Sequence, residues 1–198
     1  MDTVQKIYYM LLEFNLGDAV VMHIVYIDAS SAILLYKTGL FPLCSQYFSM
    51  IMETHVYKEV RVPDHPGANF FLTMVQKERV KVCSGNPDDQ IDINLPENLD
   101  PGERQTIALY CRNACPDQRS FIIIDDAKGA KFCLKHKLPF INALLVPKIL
   151  WFAGILNKHD YLDKTALVIE KGRYSRTVIE KARALSSLDL AIFIPDDT

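Results

Sequence analysis

Apolar and polar positions along this chain alternate between two periods. Short apolar or β-branched runs recur at residues 23–27, 49–52, 79–83, 121–124 and 140–141, and each predicts a strand. Between them apolar residues return at helical spacing. Helices are expected over 30–37, closed by Gly39 and Pro42, and over 42–48. A helical turn or two over 55–60 ends at Pro63, and a further helix covers 67–76. The clearest helix start is Asp100-Pro101-Gly102-Glu103, with Asp at the cap, Pro at the first position and Glu three after the cap; this helix reaches Asn113. Residues 121–124 are fully apolar, as a central parallel strand requires. Helices over 127–137 and 144–153 follow, with a last one near 175–188. Strands alternating with helices predict an α/β fold of three layers, a central mostly parallel sheet flanked by helices.

The chain divides into an N-terminal extension (1–21), a main domain (22–156) and a C-terminal helical extension (157–198). The N-terminal extension reads as a short amphipathic helix broken at Gly17-Asp18, and Met22 stands directly before the first strand as an alternative start. Residues 84–99, with Gly85, Pro87 and Pro96, read as a polar loop.

Composition narrows the classes. With 198 residues, 49% of them hydrophobic, the chain buries a sizeable core without staples. A net charge of -2 gives no global field, so any basic binding surface must be local. Cys44, Cys83, Cys111, Cys115 and Cys133 form no CxxC pair and fit free thiols in a reducing cytosol. Cys111 and Cys115 can share a helix face, but two ligands do not make a zinc site. Met1-Asp2-Thr3 lacks the basic start of a secretory signal, and Glu13 and Asp18 interrupt the apolar stretch behind it. The most apolar segment, 138–156, contains Pro139, Asn142, Pro147 and Lys148, which argues against a membrane span. A cytoplasmic protein is expected.

The candidate chemistry lies at strand exits. Asp28 follows the run 23–27, and Asp125-Asp126 follow the run 121–124. Ligands of open α/β sheets bind outside the carboxyl ends of the strands, and carboxylates converging there usually hold a hard cation. Each acid also has a plain structural role open to it. Asp28 is a candidate helix cap, although Ser30 and Ser31 can serve instead. Glu103 can be the reciprocal partner of Asp100 in a capping box, Asp126 an N-cap, and Glu59 a surface acid between Lys58 and Arg61. Lys128, Lys131, Lys135, His136 and Lys137, and the tail run Lys171, Arg173, Tyr174 and Arg176, suit RNA phosphates and bases or an ordinary solvated face. No GxGxxG, GxxxxGK[ST] or HExxH motif occurs.

Four segments in order carry a resemblance. Asp28-Ala29-Ser30, then Val56-Tyr57-Lys58-Glu59-Val60, then Pro101-Gly102-Glu103-Arg104-Gln105-Thr106-Ile107-Ala108-Leu109, then Ile123-Ile124-Asp125-Asp126-Ala127-Lys128-Gly129-Ala130 resemble the acidic motifs of PIN domains. The match is to VapC-like toxin nucleases of the subgroup with Gly-Glu in the third motif and Asp-Asp in the fourth. Leu138-Pro139-Phe140-Ile141-Asn142-Ala143-Leu144 resembles the last strand and helix of that subgroup, and the resemblance spans about 22–156 with the tail to Leu185. It implies a metal-dependent ribonuclease, with Asp28, Glu59, Glu103, Asp125 and Asp126 as catalytic acids. It further implies Mg²⁺ or Mn²⁺ held by Asp28, Glu103, Asp125 and Asp126, RNA as substrate and a small antitoxin protein as partner. The commoner PIN pattern has Asp at the third position and Thr or Ser beside the fourth acid. The choice between Asp125 and Asp126 as ligand therefore stays open. So do a phosphatase with Asp28 as nucleophile, which lacks a second Asp at Ser30, and an inactive interaction module. The apolar stretch 143–156 with Trp151 and Phe152 is a candidate homodimer or partner surface, or else a buried helix.

Overall fold

The computed structural model describes residues 23–63, 65, 67–84, 93–114 and 119–195. The expected N-terminal helix with Met22, residues 85–92 of the 84–99 loop, and Cys115 lie outside the described residues.

Five strands, β1 (Ile24–Ile27), β2 (Ser49–Glu53), β3 (Val80–Cys83), β4 (Ser120–Ile123) and β5 (Phe140–Ile141), form one parallel sheet in the order β3-β2-β1-β4-β5. The helices are α1 (Ala29–Lys37), α2 (Phe41–Tyr47), α3 (Thr54–Val60), α4 (Ala68–Gln76), α5 (Pro101–Asn113), α6 (Ala127–Lys135), α7 (Val146–Phe152), α8 (Lys158–Lys171) and α9 (Arg176–Ala184). Successive side chains of a strand point to opposite faces, and here both faces are buried. Val25, Ile27, Met50, Met52, Phe121 and Ile123 join one apolar cluster with α1, α2 and α7. Tyr26, Ile51 and Ile122 join a second with Ile107, Leu109 and Tyr110 of α5 and Phe132 of α6. This is the three-layer α/β architecture expected.

From β1 the chain steps outward to β2 and β3, then returns to place β4 on the other side of β1. Such a reversal opens a crevice at the carboxyl ends of the two central strands. Ile27 pairs with Ile123 there, and the Asp28 N–H donates to the Ile123 carbonyl at 3.2 Å. Asp28 and the Asp125-Asp126 pair therefore leave the sheet at the same end.

The C-terminal region differs most from expectation. The helix α8 was not foreseen. Its start is signalled by Asn157, whose side-chain oxygen accepts from the Asp160 N–H at 2.9 Å, and its end by Gly172. The helix expected over 175–188 is α9, which stops at Ala184. The 144–153 helix divides into a 3₁₀ turn, Ala143–Leu145, and α7 with Pro147 in its first turn. Val146 to Leu150 are buried, and Trp151 stacks on Tyr161 of α8 with ring centroids 4.7 Å apart. The chain's own α8 thus packs on this apolar stretch, which favours the buried-helix reading over the partner surface.

Two lysines tie the C-terminal helices down, each at a helix C-terminus where a cation is favoured. Lys164 Nζ of α8 donates to the Thr38 carbonyl at 2.7 Å. Lys148 Nζ, buried in α7, donates to the carbonyls of Ala182, Arg183 and Leu185 at 2.9, 2.8 and 2.5 Å. Lys148→Met keeps the apolar stem and removes all three bonds. Charge-assisted bonds are worth about 1.5–3 kcal/mol, so urea unfolding should show a loss of roughly 2 kcal/mol. An unchanged midpoint would show that the clamp is idle.

Candidate active site

Asp28 is 2% exposed and caps α1: its Oδ1 accepts from the Ser31 N–H at 2.9 Å and its Oδ2 from Ser30 Oγ at 2.7 Å. Of the cap candidates left open by the sequence, Asp28 rather than Ser30 or Ser31 takes the position. The Asp28 carboxylate is the acceptor and Ser30 is one of its donors. Burial pushes Asp28 from 3.8 up to about 6, against the hydrogen bonds from Ser31 and Ser30 and with a smaller push from the Asp125 charge.

Glu103 stands in the first turn of α5, 8% exposed. Half of the expected capping box is present. The Asp100 N–H holds the Glu103 carboxyl, while the Asp100 side chain makes no return bond to the helix. Glu103 Oε2 is buried with no hydrogen-bond partner among the described residues. Burial, then the charges of Asp126, Asp28 and Asp100, push Glu103 from 4.5 up to about 7.

The fourth motif divides its two acids. Asp126 caps α6, with Oδ1 accepting from the N–H groups of Lys128 and Gly129 at 2.6 and 3.4 Å. Asp125 points the other way. Its Oδ1 accepts from the Ala143 N–H at 3.2 Å and from the Tyr174 hydroxyl, and its Oδ2 is buried without a partner among the described residues. Burial raises the Asp125 pKa, opposed by Tyr174, Ser31 and the Ala143 N–H. Ser31 Oγ lies close to both Asp28 and Asp125 but makes no well-formed hydrogen bond among the described residues.

Asp28, Glu103, Asp125 and Asp126 therefore feel one another's charge: Asp125 acts on Asp28, and both Asp126 and Asp28 act on Glu103. Close packing between α6 and the end of β4 supports this. A Cβ at Gly129 would overlap Ile124 Cδ1 and fall 3.5 Å from Glu103 Oε2. Glu59 is exposed on α3, and its Oε2 lies 3.5 Å from where a Gly102 Cβ would stand, so it borders the start of α5.

Among the described residues no three His, Cys, Asp or Glu side chains are gathered as a ready-made metal site. Asp28, Glu103 and Asp126 are instead held at the starts of their own helices, and Asp125 by Ala143 and Tyr174. The donor set still fits a hard cation. Two buried carboxylate oxygens, Glu103 Oε2 and Asp125 Oδ2, lack any donor among the described residues, and a buried polar atom without a partner costs about 1–3 kcal/mol.

Other residues fall into place around these acids. Lys128, Lys131, Lys135 and Lys137 are exposed on and just beyond α6, while His136 stacks on Phe132. In the tail, Lys171, Arg173 and Arg176 are exposed, but Tyr174 turns inward to Asp125 rather than outward to a base. Two residues went unnoticed in sequence. One is Tyr174 in its role on Asp125. The other is Glu53, 2% exposed at the exit of β2, which caps α3 and accepts from the His55 backbone and from His55 Nδ1 at 3.1 Å. The signal for Glu53 was available, since it too ends an apolar strand.

A family model described as a PIN domain matches residues 24–186. Comparison with curated proteins and with solved structures gave no match.

Proposed function

Since the chain belongs to the PIN-domain family, a family of nucleases, we propose that it hydrolyses RNA phosphodiester bonds using Mg²⁺ or Mn²⁺ at Asp28, Glu103 and Asp125. The observation that carries the reading is the pair of donorless buried oxygens, Glu103 Oε2 and Asp125 Oδ2, at the sheet end where Asp28 emerges. A divalent cation supplies a Lewis acid for the phosphate oxygens and a water acidic enough to attack near neutral pH. Asp28 and Glu103 must give up protons to hold it, so affinity rises with pH through about 6 to 7. Exposed Lys128, two residues after Asp126, and Lys131 and Lys135 further along α6 offer positive charge to the RNA backbone. Glu59, on the rim beside Gly102, is the outer acid of the group.

In biological terms this activity is that of a toxin restrained by a small antitoxin protein. An inactive interaction module, the alternative, gives no reason to keep three carboxyls raised by burial at one sheet end. Among the described residues no helix is long and apolar enough to cross a membrane.

The test is cleavage of RNA by the purified protein with Mg²⁺ or Mn²⁺, abolished by EDTA. It also decides between the two adjacent acids. Asp126 is committed to capping, and Asn caps as well as Asp does. Asp126→Asn should therefore lower metal affinity less than about tenfold, through its charge alone. Asp125→Asn, which alters the oxygen left without a donor, should lower it by on the order of a hundredfold. The reverse ranking would assign the ligand to Asp126, and metal-independent cleavage would end the proposal.

A further inference from the structure

Tyr174 lies 49 residues beyond Asp125, in the short link between α8 and α9, yet its hydroxyl donates to Asp125 Oδ1. The Ala143 N–H donates to the same oxygen at 3.2 Å. Two donors from separate parts of the chain thus occupy Oδ1, and Oδ2 is left without a partner among the described residues. A carboxylate held by one oxygen in this way cannot rotate freely, and its second oxygen is aimed.

The link is built to deliver the ring. A Cβ at Gly172 would overlap Tyr174 Cε2 and fall 2.7 Å from the Val168 carbonyl. The Gly172 backbone, at φ -87° and ψ 167°, is open to any residue, so the constraint is space, taken up by the tyrosine ring and the Val168 carbonyl. Both flanking helices are anchored, α8 through Lys164 on Thr38 and α9 through Lys148 on its last carbonyls.

We infer that Tyr174 is a positioning residue for Asp125: the C-terminal helices exist in part to bring its hydroxyl to Oδ1, so that Oδ2 faces the cation. The inference rests on the metal reading above. Partners that orient a metal ligand typically contribute about 10–100-fold in affinity.

Calorimetric titration of the full chain with Mn²⁺ tests it, alongside thermal unfolding without metal. Tyr174→Phe keeps the ring and its packing but removes the hydroxyl; Gly172→Ala keeps the hydroxyl but displaces the ring. Both should weaken Mn²⁺ binding about tenfold or more. A purely structural tyrosine would lower the melting temperature and leave the Mn²⁺ affinity alone, which overturns the inference while the metal reading stands. Tighter Mn²⁺ binding by Tyr174→Phe also overturns it, since the hydroxyl would then be competing with the cation. Should Gly172→Ala fail to fold, Tyr174→Phe decides by itself. A wild-type chain that binds no Mn²⁺ removes both the metal reading and this inference.

Discussion

Asp28→Asn should abolish metal-dependent RNA cleavage, by on the order of a thousandfold, while leaving the protein folded. Each 1.36 kcal/mol of lost transition-state stabilisation is about a tenfold loss in rate, and weakening a Lewis acid's hold removes several kcal/mol. The fold should survive because Asn is as good an N-cap as Asp. Its carbonyl can still accept from the Ser31 N–H, and the Ser30 hydroxyl can turn to accept from the new amide. In bacteria, the wild-type chain expressed alone should slow growth, and the substitution should relieve this at equal soluble level. EDTA-sensitive cleavage that persists in Asp28→Asn would remove Asp28 from the site. Equal growth inhibition by both proteins would count against catalysis as its cause.

Without metal, the wild-type protein should lose stability relative to Asp28→Asn as pH rises from about 4 to 8. Asp28 has its folded pKa raised from 3.8 to about 6. The fold therefore holds this proton more tightly than the unfolded chain does. Below pH 3.8 the carboxyl is neutral in both states and carries no penalty. Between 3.8 and about 6 the unfolded chain gives up the proton first and the folded state falls behind; above that the penalty is constant. Its size is about 3 kcal/mol for Asp28. Glu103, raised to about 7, adds a further loss of the same sign between 4.5 and 7. Burial accounts for most of that second loss and is common to both proteins, while the part that comes from the Asp28 charge disappears in the variant, so the comparison reads Asp28 together with its push on Glu103. Near pH 4 the two proteins should be about equally stable, and near pH 8 the variant should unfold later. Adding Mn²⁺ at the higher pH should reverse the order, because only the wild type gains full binding energy. Unfolding curves at about pH 4, 6 and 8, with and without Mn²⁺, read this out. Parallel stability profiles for the two proteins would mean that burial exacts no penalty on the Asp28 charge.

Much of the molecule was legible from its pattern. The fully apolar run 121–124 is a central strand because only a strand buried on both faces needs no polar position. Asp28 and Asp125-Asp126 could be placed at one end of the sheet because parallel strands share a direction, so every strand exit lies on the same side. The Asp-Pro-Gly-Glu helix start placed Glu103 in the first turn of its helix, while its candidacy as a ligand came from the resemblance of that segment to the third PIN motif. The helix α8 escaped notice although Asn157 and Gly172 mark its ends, and with it went the intramolecular cover on Trp151.

The roles of the individual oxygens were beyond reach of the pattern. Sequence by itself determined the alternation of strands and helices, the parallel sheet and the acids at its carboxyl end, since all of these follow from local periodicity and chain direction. Only the tertiary structure decided that Asp126 turns back to cap its helix while Asp125 turns inward. It alone decided that Glu103 keeps one oxygen without a donor, and that Tyr174 from the far end of the chain holds Asp125. Which lone pair of a carboxylate is satisfied depends on donors that folding brings from distant segments, and no periodicity along the chain encodes that meeting.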